Sequence, residues 1–317
     1  MEKIADIFDG LVGQPRAREI LATAYANEKL PQTMIFVGPK GVGRKTMAQM
    51  LARALHEQGS PTPLKLRRVC DGLAGKQVSP SVPRGINKEL RHPDTFVFSE
   101  VLEELRAQEQ SSPIKKTTDA VIKFLSMSPI ASKIKVAIID ESDNLSEESQ
   151  NALLKTLEEP LADSVLILIS EDEKRLLPTI VSRSVVVRFG PISDADIKTL
   201  LFEVSDEILK IVQGSLGLAK ELLADSERLD EMQKMRQFWL TLEKQSTEDK
   251  LKWTEAMRER ESAVNFLETG LRVIRSEWLT QPTEAGDRVL QQIRTAILQV
   301  KDNVNPRVAM EAMLLGL

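Results

Sequence analysis

One cysteine, one tyrosine and two histidines are all that 317 residues supply of those types. A lone cysteine cannot close an intrachain disulfide, so no disulfide framework is expected, and a reducing compartment suits such a chain. Aromatic residues make up only 4%, too few for the stacked platforms that grip single-stranded nucleic acid. Positive charge is not in excess either. The net charge of −4 excludes bulk polyanion binding, so any DNA contact must come from a local patch or from partners. No apolar run approaches the ~18 residues that a membrane span needs. The opening MEKIADIFDG carries acids and lacks a long apolar core, unlike a signal peptide. The expected location is the cytoplasm.

What is present is ordinary for a soluble globular protein: 42% hydrophobic and 28% charged residues. The length exceeds what one small core usually spans, so two or three domains are expected. The chain shows no internal repeat. Gln14 to Asn27 carries apolar residues at helical spacing, at Ala17, Ile20, Leu21 and Ala24. TMIFVG then reads as a short buried strand, GPKGVG as a glycine loop, and KTMAQMLARALHEQ as a helix. Gly59 to Asp94, dense in Pro, Gly, Ser and basic residues, reads as an irregular insertion. DTFVFSE, KVAIIDE, SVLILIS and SVVVRF follow as apolar runs, with helical stretches at Thr117 to Ser126 and LSEESQNALLKTLEEP between them. Ser146 can cap the second of these helices, Glu147 and Glu148 suit its positive end, and Pro160 helps to stop it. Continuous apolar strands alternating with helices predict a parallel α/β sheet. After Pro191 the strands cease. Ser193 and Asp196 form a capping-box pattern, and the rest is helical, broken at Gly214, Gly217, Pro282 and Pro306, with Asn305-Pro306 as a helix start. The division expected is an α/β domain over 1–190, a small helical lid over 191–226 and a helical domain over 227–317.

Three stretches carry chemistry. The first, Gly38, Pro39, Lys40, Gly41, Val42, Gly43, Arg44, Lys45 and Thr46, fits the phosphate-loop pattern G-x-x-x-x-G-K-[ST] in its glycines and in its strand–loop–helix setting. Its backbone amides can still face phosphates at a helix N-terminus. Its side chains depart. Arg44 stands where a compact lysine charge normally reaches the outer phosphates, and Lys45 stands where a hydroxyl normally ligates Mg²⁺. A protonated ammonium has no lone pair to give. Thr46 has the hydroxyl but lies about 100° further round the helix. The second stretch is Val136 to Ser142, an apolar strand ending in acids, in which Asp140 would hold Mg²⁺ through water and Glu141 would polarise an attacking water. The third is Leu176 to Ser184, where Arg183 follows a proline turn. An isolated arginine is ordinarily a solvated one; the functional alternative is a finger aimed at a neighbour's ATP. Trp239, Trp253 and Trp278 read as core residues of the tail rather than interface anchors. Lys115, Lys116, Lys133 and Lys135 read as solvated surface rather than a DNA-facing patch.

VAIIDESDNLSEESQNALLKTLEEP, then LLPTIVSRS, resembles the AAA+ clamp-loader family of bacterial DNA polymerase III, and within it most resembles the δ′-type members. LVGQPRAREIL, GPKGVG, the HPD string at His92 to Asp94 and the closing NVNPRVAMEAMLLGL agree with this, and only Glu227 to Gln299 is thin in resemblance. The resemblance implies an AAA+ P-loop parallel-sheet domain, a lid, and an all-α collar domain that holds a ring of subunits together. It implies other loader subunits as partners, and a sliding clamp and primed DNA met through the complex. It also implies zinc on four cysteines after the glycine-loop helix, but only Cys70 stands there. One thiolate cannot make that tetrahedral site, and no zinc is expected. Motor subunits of the family carry a lid arginine that reads nucleotide; the matching stretch here is GSLGLAKEL, with Gly217 at that place. Ser184 replaces the family's usual cysteine after Arg183.

These losses agree with one another. The expectation is a largely non-hydrolysing subunit: Arg183 acts in trans, Glu141 is vestigial, and ATP with Mg²⁺ binds weakly or not at all. The rival is an active γ/τ-type ATPase, favoured by Asp140, Glu141 and the retained glycine loop. A third reading is an AAA+ scaffold outside replication. Nothing in the sequence carries DNA-polymerising chemistry.

Overall fold

The structure is a computed structural model and describes residues 6–57, 92–98, 113–160, 163–257 and 259–316. Cys70 and nearly all of the 59–94 insertion lie outside them. So do the side chains of Lys115 and Lys116. The chain forms two compact units, one of residues 1–196 with 215–217 and the other of 197–214 with 218–317.

The first unit is an α/β layer structure. Among the described residues its strands are β1 (Thr33–Val37), β2 (Thr95–Val97), β3 (Lys135–Ile139), β4 (Ser164–Ser170) and β5 (Val185–Arg188). They form one sheet in the order β2-β3-β4-β1-β5, every pair parallel. The period-two alternation of strand side chains divides the sheet between two cores. Met34, Phe36, Val136, Ile138, Ile167 and Ile169 face one, with α1 (Pro15–Ala26) and α2 (Arg44–Glu57) against them. Ile35, Ala137, Ile139, Leu166 and Leu168 face the other, against α3 (Pro113–Ser126) and α4 (Glu147–Glu158). That is why β3 and β4 read as unbroken apolar runs: both faces are covered. The β5 segment is less covered than its apolar run SVVVRF suggested. It lies at the edge beside β1, and only Val187 in it is buried.

The local signals are realised. Ser146 accepts a hydrogen bond from the Ser149 amide and starts α4. Ser193 and Asp196 close a box, with the Asp196 amide donating to Ser193 Oγ at 3.1 Å. Lys135 corrects the surface reading given to it. It is buried, its ammonium donates to the Phe124 carbonyl at 2.9 Å and lies 4.3 Å from that ring's centre, and burial lowers its pKa against the pull of Asp94.

The second unit is helical. Its longer elements are α8 (Ser226–Leu240), α10 (Arg260–Thr280), α11 (Glu284–Lys301) and α12 (Pro306–Leu315), after α5 (Asp194–Leu200), α6 (Asp206–Val212) and α7 (Leu216–Ala224), and with α9 (Thr247–Ala256) between α8 and α10. Gly217 does not break the chain as its sequence position suggested; it lies in the first turn of α7. Asn305 caps α12 through the amides of Arg307 and Val308. Trp239 is a core residue. Its indole donates to the Phe266 carbonyl at 3.1 Å, and it packs with Phe238 and Phe266. Gly270 makes room for it, because a Cβ there would strike the indole. Among the described residues no helix is long and apolar enough to cross a membrane.

Candidate functional site

The strand order fixes where a site can form. β1 and β5 lie together while the chain's next strand, β2, lies at the far edge. Open parallel sheets bind ligands beyond the carboxyl ends of strands at such a reversal. The glycine loop leaves β1 there, Asp140 follows β3, and Ser170 ends β4 between them. Two strand spacings, about 10 Å, separate the loop's strand from the acids' strand.

Long side chains cross that gap. Lys45 brings its ammonium to 3.4 Å from Asp140 Oδ2. Lys40 lies 3.5 Å from Glu141 and 3.4 Å from Glu171. Arg44 turns inward: it is buried, and its guanidinium donates to the Ser170 carbonyl. Burial lowers its pKa, opposed by Glu171, Asp140, Asp143 and Glu141. Glu141 takes a left-handed φ of 48°, uncommon for a side chain of its size, and accepts from Asn144 at 3.2 Å. Thr46 is exposed on the far side of the helix start.

The glycine loop is also met by its own chain. The Gly217 amide donates to the Gly41 carbonyl at 2.9 Å. A Cβ on Gly217 would lie 3.0 Å from Gly41 Cα, and one on Gly41 would strike the Ser215 hydroxyl. From the other side Gln14 anchors the loop. Its amide nitrogen donates to the Val42 carbonyl at 3.2 Å and to the Gly190 carbonyl at 2.6 Å, and its oxygen accepts from the Gly190 amide at 3.0 Å. Gln14, Glu171 and Ser215 were not singled out from the sequence. Gln14 sits in the LVGQP string, which signalled resemblance without a role; nothing local marks the other two.

This donor set does not fit Mg²⁺ in the usual phosphate-loop manner. The place of the metal-binding hydroxyl holds an ammonium, and that ammonium lies against the carboxylate expected to serve the metal. Among the described residues no group of three or more His, Cys, Asp or Glu is placed to hold a metal ion. What the site does chemically is neutralise itself: the cations Lys40, Arg44 and Lys45 balance Asp140, Glu141 and Glu171.

Arg183 is not part of this cluster. It follows a single helical turn, Pro178–Val181, and lies two residues before β5. The glycine loop leaves the opposite end of β1, and the two strands run parallel from Met34 beside Val185 to Val37 beside Arg188. At about 3.3 Å per residue, Arg183 and its own loop lie at opposite ends of these two neighbouring strands. The guanidinium is partly exposed. It lies 2.9 Å from Glu158 Oε1 and donates to the Thr179 carbonyl at 3.1 Å and to Ser182 Oγ at 3.4 Å.

A second polar cluster surrounds the HPD string. Asp94, wholly buried, accepts from the amides of Ile130, Ala131 and Ser132 at 2.7, 2.7 and 2.8 Å. Burial alone would raise its pKa, but these three bonds and His92 hold it below the usual value. His56 and His92 stack at 3.8 Å, and His56 bonds the hydroxyls of Ser132 and Thr95. Burial, helped by His92 and opposed by Asp94, pushes the His56 pKa down to about 4.

Comparison with known proteins bears on this arrangement. A family model described as DNA polymerase III, delta subunit, matches residues 13–193. DNA polymerase III subunit delta' of Bacillus subtilis is 29% identical over 192 residues, covering 60% of this chain and 51% of that protein. Subunit delta' of Pseudomonas aeruginosa is 29% identical over 199 residues, 62% of this chain and 54% of that one. Subunit tau of Bacillus subtilis is 29% identical over 215 residues, 67% of this chain and 34% of that one. The chain thus spans about half the length of these delta' relatives and a third of the tau relative. The match covers the whole sheet, the glycine loop, both acids and Arg183, and the chain belongs to the DNA polymerase III delta-subunit family, with the clamp-loader subunits delta', gamma and tau among its relatives.

Proposed function

We propose that the chain is a δ′-like clamp-loader subunit that does not hydrolyse ATP itself and supplies Arg183 to the active site of a neighbouring ATPase subunit. In this reading its partners are the motor and δ-like subunits, and it meets the sliding clamp and primed DNA through the assembled loader in the cytoplasm. The helical unit, whose C-terminal part corresponds to the expected 227–317 domain, joins the collar. The observation that carries the reading is the Lys45–Asp140 pair. An ammonium stands at the sequence place of the metal-binding hydroxyl and pairs with the carboxylate that would serve the metal, so in this reading the loop keeps its shape without the ion that phosphoryl transfer requires. The position of Arg183, at the opposite strand end from its own loop, supports action on another subunit.

The retained Asp140 and Glu141 favour the rival, a γ/τ-type ATPase working at its own loop. Calorimetric titration of the purified chain with ATP, with and without Mg²⁺, separates the two. No binding, or binding indifferent to Mg²⁺, is the expected result. Tight binding that requires Mg²⁺ would overturn the non-hydrolysing assignment, and Glu141→Gln would then be the variant to assay for lost turnover.

A further inference from the structure

We infer that Glu158 is a positioning residue for Arg183, holding its guanidinium ready for a phosphate on a neighbouring subunit. The inference rests on the proposed role of Arg183.

Glu158 is the last residue of α4, and Glu159 caps it. Two carboxylates at the negative end of a helix are unfavourable, so the helix gains nothing from an acid there. Glu158 Oε1 instead meets Arg183 Nη2 at 2.9 Å. The pair is exposed, and exposed pairs add little to stability. Its effect is geometric. A free arginine samples many rotamers, and fixing them costs entropy. Here the Thr179 carbonyl and Ser182 hydroxyl accept from Nη1, and the Glu158 carboxylate stands 2.9 Å from Nη2 as an ion pair. Nε and Nη2 donate no hydrogen bond among the described residues. Two donors are what a bidentate contact to a phosphate uses.

The frame under this pair is rigid. Gln150, buried on α4, donates to the Arg175 carbonyl at 3.3 Å, and its oxygen accepts from the Leu177 amide at 2.7 Å. Leu153, Leu157 and Ile180 pack in one core. These contacts lock the helix that carries Glu158 to the turn that carries Arg183. The carboxylate and the guanidinium stem are therefore placed by the same packing, and the ion pair only has to select the rotamer.

The test uses the loader reconstituted from this chain and its cognate subunits, with clamp and primed DNA. Steady-state ATP turnover is measured for Glu158→Gln, Arg183→Ala and the double variant. Expected is a fall in kcat of roughly 3–10-fold for Glu158→Gln with KM for ATP unchanged, a larger fall for Arg183→Ala, and a double variant no slower than Arg183→Ala alone. Glu158→Asp, which keeps the charge, should recover part of the loss. Wild-type turnover for Glu158→Gln beside a slow Arg183→Ala would overturn the positioning role and leave the finger standing. An equal fall from Glu158→Gln in the Arg183→Ala background would also overturn it, by showing a general structural effect. Wild-type turnover for Arg183→Ala would remove the finger and the positioning role together.

Discussion

Gly41→Ala is the most direct probe of how the glycine loop is closed. Gly41 has φ +75°, and a Cβ there would strike the Ser215 hydroxyl, with the Gly217 amide nitrogen 3.3 Å away. A left-handed backbone costs a side chain about 1–2 kcal/mol. Forcing an extra carbon into a filled space costs about 1–3 kcal/mol more. Ser215 is buried, so it cannot simply swing into solvent. The sum centres at about 3.5 kcal/mol, which for a unit of this size lowers the melting temperature by roughly 7–14 °C. The reporter must see the α/β unit alone. Trp239, Trp253 and Trp278 all lie in the helical unit, so tryptophan fluorescence follows that unit. Amide hydrogen exchange in β1 and β4 follows the other. Gly41→Ala should speed exchange in those strands. Ser215→Ala in the same chain should recover the overpacking part and leave the backbone part, about 1–2 kcal/mol. Unchanged exchange in Gly41→Ala, or no recovery with Ser215→Ala, would refute a loop closed by its own chain.

Acid should weaken the α/β unit through His56. Its folded pKa of about 4 lies below the ordinary 6.5, so the unfolded chain takes the proton first. Stability is then whole above pH 6.5, falls as the pH drops toward 4, and levels off below. The full shift corresponds to about 3 kcal/mol, and partial exposure of the ring discounts this to about 1–2 kcal/mol; denaturant midpoints of the parent and His56→Gln between pH 7 and 4 should differ in slope. In the helical unit, Gly270→Ala drives a methyl into the Trp239 indole and should cost about 1–3 kcal/mol. A fluorescence-detected unfolding midpoint that does not move would show that the indole has room to shift.

The local parts of this fold were legible because local chemistry sets them. Ser146, Ser193 and Asn305 announce helix starts through their own side chains, and the unbroken runs of β3 and β4 announce strands covered on both faces. What the sequence hid is pairing across distance. That Lys45 would reach Asp140, and that Arg44 would turn to the Ser170 carbonyl, depends on β4 lying between β1 and β3, which no local pattern encodes. Glu158 and Arg183 were two letters in two family strings; only the packing of Gln150 on the Arg175–Leu177 segment brings them together. Lys135 misled because lysine is rarely buried, and the compensation lies in the carbonyl and ring of Phe124 on another element. β5 misled because an apolar run at a sheet edge reads the same as one at the centre.

The parallel pairing of β1 with β5 gives the subunit a direction. The nucleotide-type loop lies beyond the carboxyl end of β1 and the arginine before the amino end of β5, so in the proposed role the subunit would receive at one end of its strands and give from the other. In the proposed role, a member whose own loop is internally neutralised would complete a neighbour's reaction centre without hosting one.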